Sequence, residues 1–305
     1  MEKGSFNWYN MISPKNLIRP TKEPVMIISE NREKVKRKAQ SLLSKRYVHF
    51  SKPQFKFALE MVLGIVMSGS SNLSEIGRNL KERTELKHTL KRLRRMLGQQ
   101  ELLDKCNGLC LEESARKING ETILALDTGD ATHQYGEKFE LLNYVHDGSS
   151  KKGKKKTEKG YWLNQVSGFN PSSNETFPVL LDIYSCSEEC FKSANAESLS
   201  LVQRVVSKVG FDGLWVMDRG YDSGVILQSF LSGNLNFVVR MNISRNILVD
   251  DKSAKDGLKS VNIKAAAEQI NRRVKYNNNC RFGSLKARLK LRGVEFLVTL
   301  ICFKD

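Results

Sequence analysis

The sequence predicts a mixed α/β protein with a helical N-terminal region, and three observations carry that prediction. Helical periodicity dominates residues 53–118. From residue 121 the period shortens to brief apolar runs, two of which end on an aspartate. Those runs are ordered as strand, hairpin, helix, strand, strand, which is a layered α/β arrangement. A chain of 305 residues suits about two domains, and 40% apolar residues supply a real core.

Charge sets the class of partner. The formal net charge is +17 and the pI about 9.6, so a polyanion is expected, either nucleic acid or an anionic membrane surface. The opening "MEKGSFNWYNMISPKNL" has no apolar core of a signal peptide. The apolar run "FALEMVLGIVM" at 57–67 is shorter than the about 20 residues of a membrane span, and Glu60 interrupts it. These points predict a soluble cytoplasmic protein, no membrane, and a DNA or RNA partner. The cysteines at 106, 110, 186, 190, 280 and 302 include no CxxC pair, and the two C-x3-C pairs lack nearby histidines. Neither a zinc site nor disulfides are expected.

Residues 1–50 form a basic arm, with Pro14, Pro20 and Pro24 ahead of the helix-like "NREKVKRKAQSLLSKR". Residues 51–120 form a helical domain. "FKFALEMVLGIVMSG" stops at Gly69, and "SSNLSEIGRNL" begins with capping residues. "ELKHTLKRLRRML" places Leu86, Leu90, Leu93 and Leu97 on one face and Lys87, Lys91, Arg92, Arg94 and Arg95 on the other. Short helices with small-residue turns fit a helix-turn-helix-like DNA-binding module, with Arg92 and Arg95 as backbone contacts. The plain alternative is a solvated basic helix in an ordinary bundle.

The α/β core is expected over 121–245. "ETILALDTGD" opens it as a strand. "YWLNQVSGF" (161–169) and "TFPVLLDIYS" (176–185) form a hairpin across "NPSSNE". In the helix at 193–210, Leu199, Val202 and Val206 share one side and Gly210 ends it. "GLWVMDRG" and "LNFVVRMN" (235–242) are the next strands. Residues 246–305 start a β-rich segment that finishes in a hairpin at Arg292 and Gly293. Between the first strand and the hairpin lies "SSKKGKKKTEKG", where Lys151, Lys152, Lys154, Lys155 and Lys156 form a solvated loop able to track phosphates.

Asp127 and Asp218 each stand at the exit of an apolar run, in "ILALDTGD" and "LWVMDRGY". If the two strands are neighbours, both carboxylates emerge at one edge and repel. A hard divalent cation, Mg²⁺ or Mn²⁺, relieves that repulsion and can activate water or a 3′-hydroxyl against a phosphodiester. The plain alternative for each is a cap or Asx-turn residue, the role expected of Asp130, Asp182 and Asp222. His133 and His146 follow Asp127, but no histidine lies near Asp218. The sequence carries no GxSxG and no P-loop. A small-molecule phosphohydrolase using Asp127 as nucleophile fits poorly, since "DTGD" lacks D-x-D spacing.

These segments resemble the IS4-type insertion-sequence transposases, with "DRGYDS" similar to their strand-end Asp-Arg-Gly-Tyr pattern. The resemblance covers roughly residues 55–305. It implies a ribonuclease-H-like mixed sheet core, an N-terminal helical DNA-binding domain and a C-terminal β-rich insertion. It makes Asp127 and Asp218 the first two carboxylates of an Asp-Asp-Glu metal triad, with Arg219 and Tyr221 positioning the DNA backbone. It implies double-stranded DNA as partner, as element inverted repeats and target, and a homodimer on that DNA. The family's third carboxylate sits in Tyr-x2-Arg-x3-Glu. That pattern is missing here, and neither Glu268 nor Glu295 matches it. The resemblance thus implies a chain ending within the insertion, with impaired catalysis. The alternative is a non-catalytic DNA-binding competitor or regulator.

Overall fold

A computed structural model describes residues 25–44, 50–132, 139–146, 157–255, 257–270, 275–277 and 280–304. The five lysines from Lys151 to Lys156 and most of the expected N-terminal arm lie outside the described residues. Backbone contacts divide the chain into two units, Met1–Leu109 and Cys110–Asp305.

The first unit is helical: α1 (Val25–Ser44), α2 (Lys52–Ser68), α3 (Leu73–Leu80), α4 (Leu86–Leu97) and most of α5 (Gln100–Ala115). Local signals set its boundaries. The Ser51 side chain accepts from Gln54 N while the Gln54 side chain accepts from Ser51 N, a reciprocal cap that starts α2. Gly69 ends it in the left-handed region, φ 62°. Asn72 caps α3 through Ser74 N. Phe57, Ala58, Ile76, Leu80, Leu93 and Met96 are buried in one core. Leu97, expected on the apolar face of α4, is 53% exposed, and Met96 takes the buried place. The helix buries the narrower face of Thr89, Leu93 and Met96, so a residue one step past Met96 turns outward.

No single helix among the described residues is long and apolar enough to cross a membrane.

The second unit is mixed α/β. Its first sheet contains β1 (Ile123–Thr132), β2 (Asn143–His146), β3 (Thr157–Asn170), β4 (Glu175–Tyr184), β5 (Leu214–Met217) and β6 (Phe237–Val239). The order is β2-β3-β1-β5-β6, with β4 also pairing β3. The pairs β1/β3 and β3/β4 are antiparallel, and β1/β5 and β5/β6 are parallel. The hairpin at 170–175 and the helix α6 (Ala194–Val209), capped by Ser193 and Gly210, fall where the sequence places them. The strand expected over 235–242 is shorter, Phe237–Val239. An unforeseen helix, α7 (Gly224–Ser232), follows β5 and buries Ile226, Leu227 and Phe230.

Leu124, Leu126, Val166, Leu201, Val205, Trp215 and Met217 form the core beneath that sheet. Trp215 meets Phe230 edge to face at 5.7 Å between ring centres. A second sheet holds β7 (Asn246–Asp250), β8 (Leu258–Asn262), β9 (Lys275–Asn277), β10 (Cys280–Leu291) and β11 (Val294–Lys304), with α8 (Ile263–Ile270) packed on it. Its core includes Leu227, Ile247, Val249, Ala287 and Leu289.

Leu124 is fully buried at the centre of the first sheet. Leu124→Ala is expected to cost about 2–5 kcal/mol, measured as a shift of the urea midpoint without a change of slope.

Candidate carboxylate site

The register of β1 and β5 builds the site. These parallel strands pair Leu124 with Trp215 and Leu126 with Met217. All four side chains are buried in one core. Alternation along each strand turns the next residues, Asp127 and Asp218, to the opposite face, one step past the last pair. Both residues are exposed. Asp218 is still extended, φ −78° and ψ −174°, so it continues the strand direction before the chain turns. Adjacent strands lie about 4.8 Å apart, so the two aspartates are neighbours although 91 positions separate them.

Electrostatics agree with that placement. Partial loss of water raises the Asp127 carboxyl above its ordinary value, and the Asp218 charge raises it further. The Thr128 N–H donates to Asp127 Oδ1 at 3.0 Å and works against both. Asp218 also caps the short 3₁₀ turn Arg219–Tyr221, its Oδ1 accepting from Gly220 N at 2.8 Å. A Cβ at position 220 would sit 3.0 Å from that oxygen, which accounts for the glycine in "DRGY". Capping and a ligand role use the same carboxylate without conflict, since its other oxygen stays available.

Two expectations around the pair need correction. Arg219 is exposed, as a backbone contact requires, but Tyr221 is only 6% exposed. Its hydroxyl lies 2.7 Å from Thr128 Oγ1, which donates onward to Asn164 Oδ1 at 2.7 Å. Ser198 also hydrogen-bonds the phenol, and burial pushes its pKa far up. Tyr221 therefore ties the turn carrying Asp218 to the strand carrying Asp127, and it does not face solvent. Asn164 is fully buried, and its Nδ2 finds no partner among the described residues. Thr128, Asn164 and Ser198 gave no sequence signal, because each is an ordinary polar residue within a strand or helix.

Asp222, expected as a turn residue, is a buried anchor. Its carboxylate is 3% exposed, lies 2.6 Å from Arg245 Nε and accepts from Asn242 N at 2.7 Å. The Arg245 contact is an ion pair without hydrogen-bond alignment. Arg245 also donates to the Asp222 carbonyl at 3.0 Å. With Asn242, Ser244 and Asn246 these residues line a cleft of about 380 Å³.

No group of three or more His, Cys, Asp or Glu suited to a metal occurs among the described residues. Glu268 is exposed on α8. Glu295 lies in the second sheet, 3.7 Å from Arg288. Neither joins the aspartates. Two carboxylates of like charge fit one hard cation, held by fewer protein oxygens than such ions usually take.

In the helical unit the expected basic face is smaller than the sequence suggests. Arg92 is not on it: the guanidinium bonds Glu60, the acid that interrupts the apolar run of α2, and Glu82 at 2.8 Å. Burial raises the Glu82 carboxyl, but the Thr89 hydroxyl and Arg92 outweigh it and hold it below its ordinary value. Arg95, Arg94 and Lys91 remain exposed.

No protein-family model matches the chain, and no curated protein matches it. Among solved structures the chain is similar to a piggyBac transposase, in a cryo-EM synaptic complex with hairpin DNA, at a TM-score of 0.39 and 10% identity. The likeness covers 89% of this chain and 58% of that one, so this chain spans less than two thirds of the neighbour's length.

Tyr221→Phe is expected to cost about 1 kcal/mol, the worth of one hydrogen bond while Thr128 keeps its bond to Asn164, seen as a lower Tm with an unchanged far-UV spectrum. Arg92→Met is expected to cost about 1–3 kcal/mol because it leaves Glu60 only its longer contact with Lys56, 3.6 Å away, whereas Arg95→Met leaves the urea midpoint where it was.

Proposed function

We propose that this chain is a DNA-acting protein of the transposase kind, with a ribonuclease-H-like core of IS4 type. In this reading Asp127 and Asp218 hold Mg²⁺ or Mn²⁺ for cleavage and transfer of DNA strands at element ends. The observation that carries the proposal is the parallel register of β1 and β5, which sets the two aspartates side by side on one face. The net charge of +17 and the exposed Arg94, Arg95 and Arg219 supply cations for a phosphate backbone. The chemistry supplied by a bound divalent ion is activation of water or a 3′-hydroxyl. The chain's own contribution is to hold both carboxylates in register and to fix the turn between them through Tyr221. A homodimer on the DNA belongs to the same reading.

A second reading is favoured by one observation, that no third carboxylate joins the pair among the described residues. The chain would then occupy element ends without cutting them.

The test combines metal and DNA. Millimolar Mn²⁺ is expected to raise the Tm of the wild-type chain and to leave Asp127→Asn and Asp218→Asn unchanged. An unchanged Tm in the wild type would sink the metal reading. Metal-dependent nicking of duplexes carrying the flanks of the coding region separates the enzyme from the competitor.

The sign of the pH effect follows from Asp127. Its folded pKa is raised, so its contribution favours the fold below the ordinary carboxylate value and is lost as pH rises through the raised one. At neutral pH ionised Asp127 is a cost to the fold, and Asp127→Asn without metal is expected to raise Tm. For DNA, Arg95→Ala is expected to weaken binding to all sequences and reduce the log–log salt slope by about 0.9.

A further inference from the structure

Arg240 stands in the same row as the two aspartates, one strand further across the sheet. β5 and β6 are parallel and pair Met217 with Val239. The Arg240 N–H donates to the Met217 carbonyl at 3.2 Å, so the ladder runs one residue past the end of β6 at Val239. Met217 is also the partner of Leu126 on β1. The next residues on these neighbouring strands are Asp127, Asp218 and Arg240, in that order across the sheet. With strands about 4.8 Å apart, the Arg240 backbone lies about 5 Å from that of Asp218 and about 10 Å from that of Asp127.

Packing on either side of Arg240 sets its direction. Phe237, Val239 and Met241 pack against apolar core, whereas Val238 is 48% exposed. Alternation sends Arg240 to the side of Val238. That is also the side of Asp127 and Asp218, because Met217 and Val239 share the core side. Arg240 is exposed, and its guanidinium has no hydrogen-bond or ion-pair partner among the described residues. Two other arginines near the pair are placed differently. Arg219 starts the 3₁₀ turn after Asp218, and Arg245 is engaged with the Asp222 carboxylate and carbonyl. Burial, the Thr128 N–H and Asp218 shift the Asp127 carboxyl, and no cation among the described residues does. Arg240 is thus a neighbour of the pair that does not neutralise it.

We propose that Arg240 binds a backbone phosphate of DNA beside the carboxylate pair. The inference rests on the reading of this chain as a DNA-acting protein that works at Asp127 and Asp218. Two ionised carboxylates repel a phosphodiester, and a cation in the same row offsets that repulsion on the side of β6. A guanidinium binds the two non-bridging oxygens of a phosphodiester through a planar fork of N–H donors, which an ammonium lacks. Arg240 thereby fixes one phosphate next to the aspartates and reads no base.

Fluorescence anisotropy of the full chain on a labelled DNA duplex, in EDTA, tests this without any metal. Arg240→Ala is expected to weaken binding about tenfold and to lower the log–log salt slope by about 0.9. Arg240→Lys keeps the charge but not the fork, so it is expected to keep the slope and recover only part of the affinity. Asp218→Asn is expected to tighten binding, because the carboxylate repels a phosphate seated beside it. That gain is expected to vanish when Asp218→Asn is combined with Arg240→Ala, which locates the phosphate between the two positions. The rise of Tm in Mn²⁺ is expected to survive Arg240→Ala, whereas a residue that merely holds the aspartates in place would lose it together with the DNA. Wild-type affinity in Arg240→Ala, additive effects of the two substitutions, or joint loss of DNA binding and the Mn²⁺ response would overturn the assignment. A wild-type chain that binds no duplex sinks the DNA-acting reading and Arg240 with it. A wild type that binds DNA but ignores Mn²⁺ sinks the metal reading, and the affinities in EDTA still decide the role of Arg240.

Discussion

The arrangement around the candidate site depends on one constraint, the parallel pairing of β1 with β5. Burying Leu124 and Leu126 beside Trp215 and Met217 fixes both strands in depth and in register. A slip of one residue would turn each apolar set out of the core. The same requirement holds Asp127 and Asp218 on the far face at one level. Apolar burial thus brings two carboxylates together, and the pKa of Asp127 is raised chiefly by its partial loss of water and further by the Asp218 charge. Where a fold accepts such a pair without a neutralising partner, the two charges are candidates for function.

The polar groups behind the pair set its geometry. Thr128 connects outward through its N–H to Asp127 and inward through its hydroxyl to Tyr221 and Asn164. Tyr221 lies three residues past Asp218, so a single phenol couples the exit of β5 to β1 at the residue after Asp127. Asp222 continues the same turn and fastens it to the segment after β6 through Arg245 and Asn242. In "DRGYD" the first aspartate faces solvent, Gly220 lets a backbone N–H reach it, and the last two residues anchor the turn inside the protein.

Charge in the helical unit divides in a similar way. Five cations on α4 share a sequence pattern, but Arg92 is engaged with Glu60 and Glu82 and ties α4 to α2. Glu60 looked like a flaw in an apolar helix. It is the partner that lets an arginine enter the unit's interior, where an unpaired carboxylate would be costly.

By itself the sequence determined whatever depends on neighbours along the chain. Capping at Ser51, Asn72 and Ser193, the hairpin across residues 170–175, the turn at Arg292 and Gly293, and the apolar strand runs that precede Asp127 and Asp218 all follow from local conformational preference and short-period apolar patterns, although β1 continues past Asp127 to Thr132 through its pairing with β3. Tertiary structure alone decided which polar residues face water. Arg92 and Glu60 lie 32 positions apart, and Tyr221 and Thr128 lie 93 apart. Periodicity carries no information about a partner that far along the chain, because burial of a charge or hydroxyl depends on the element folded against it.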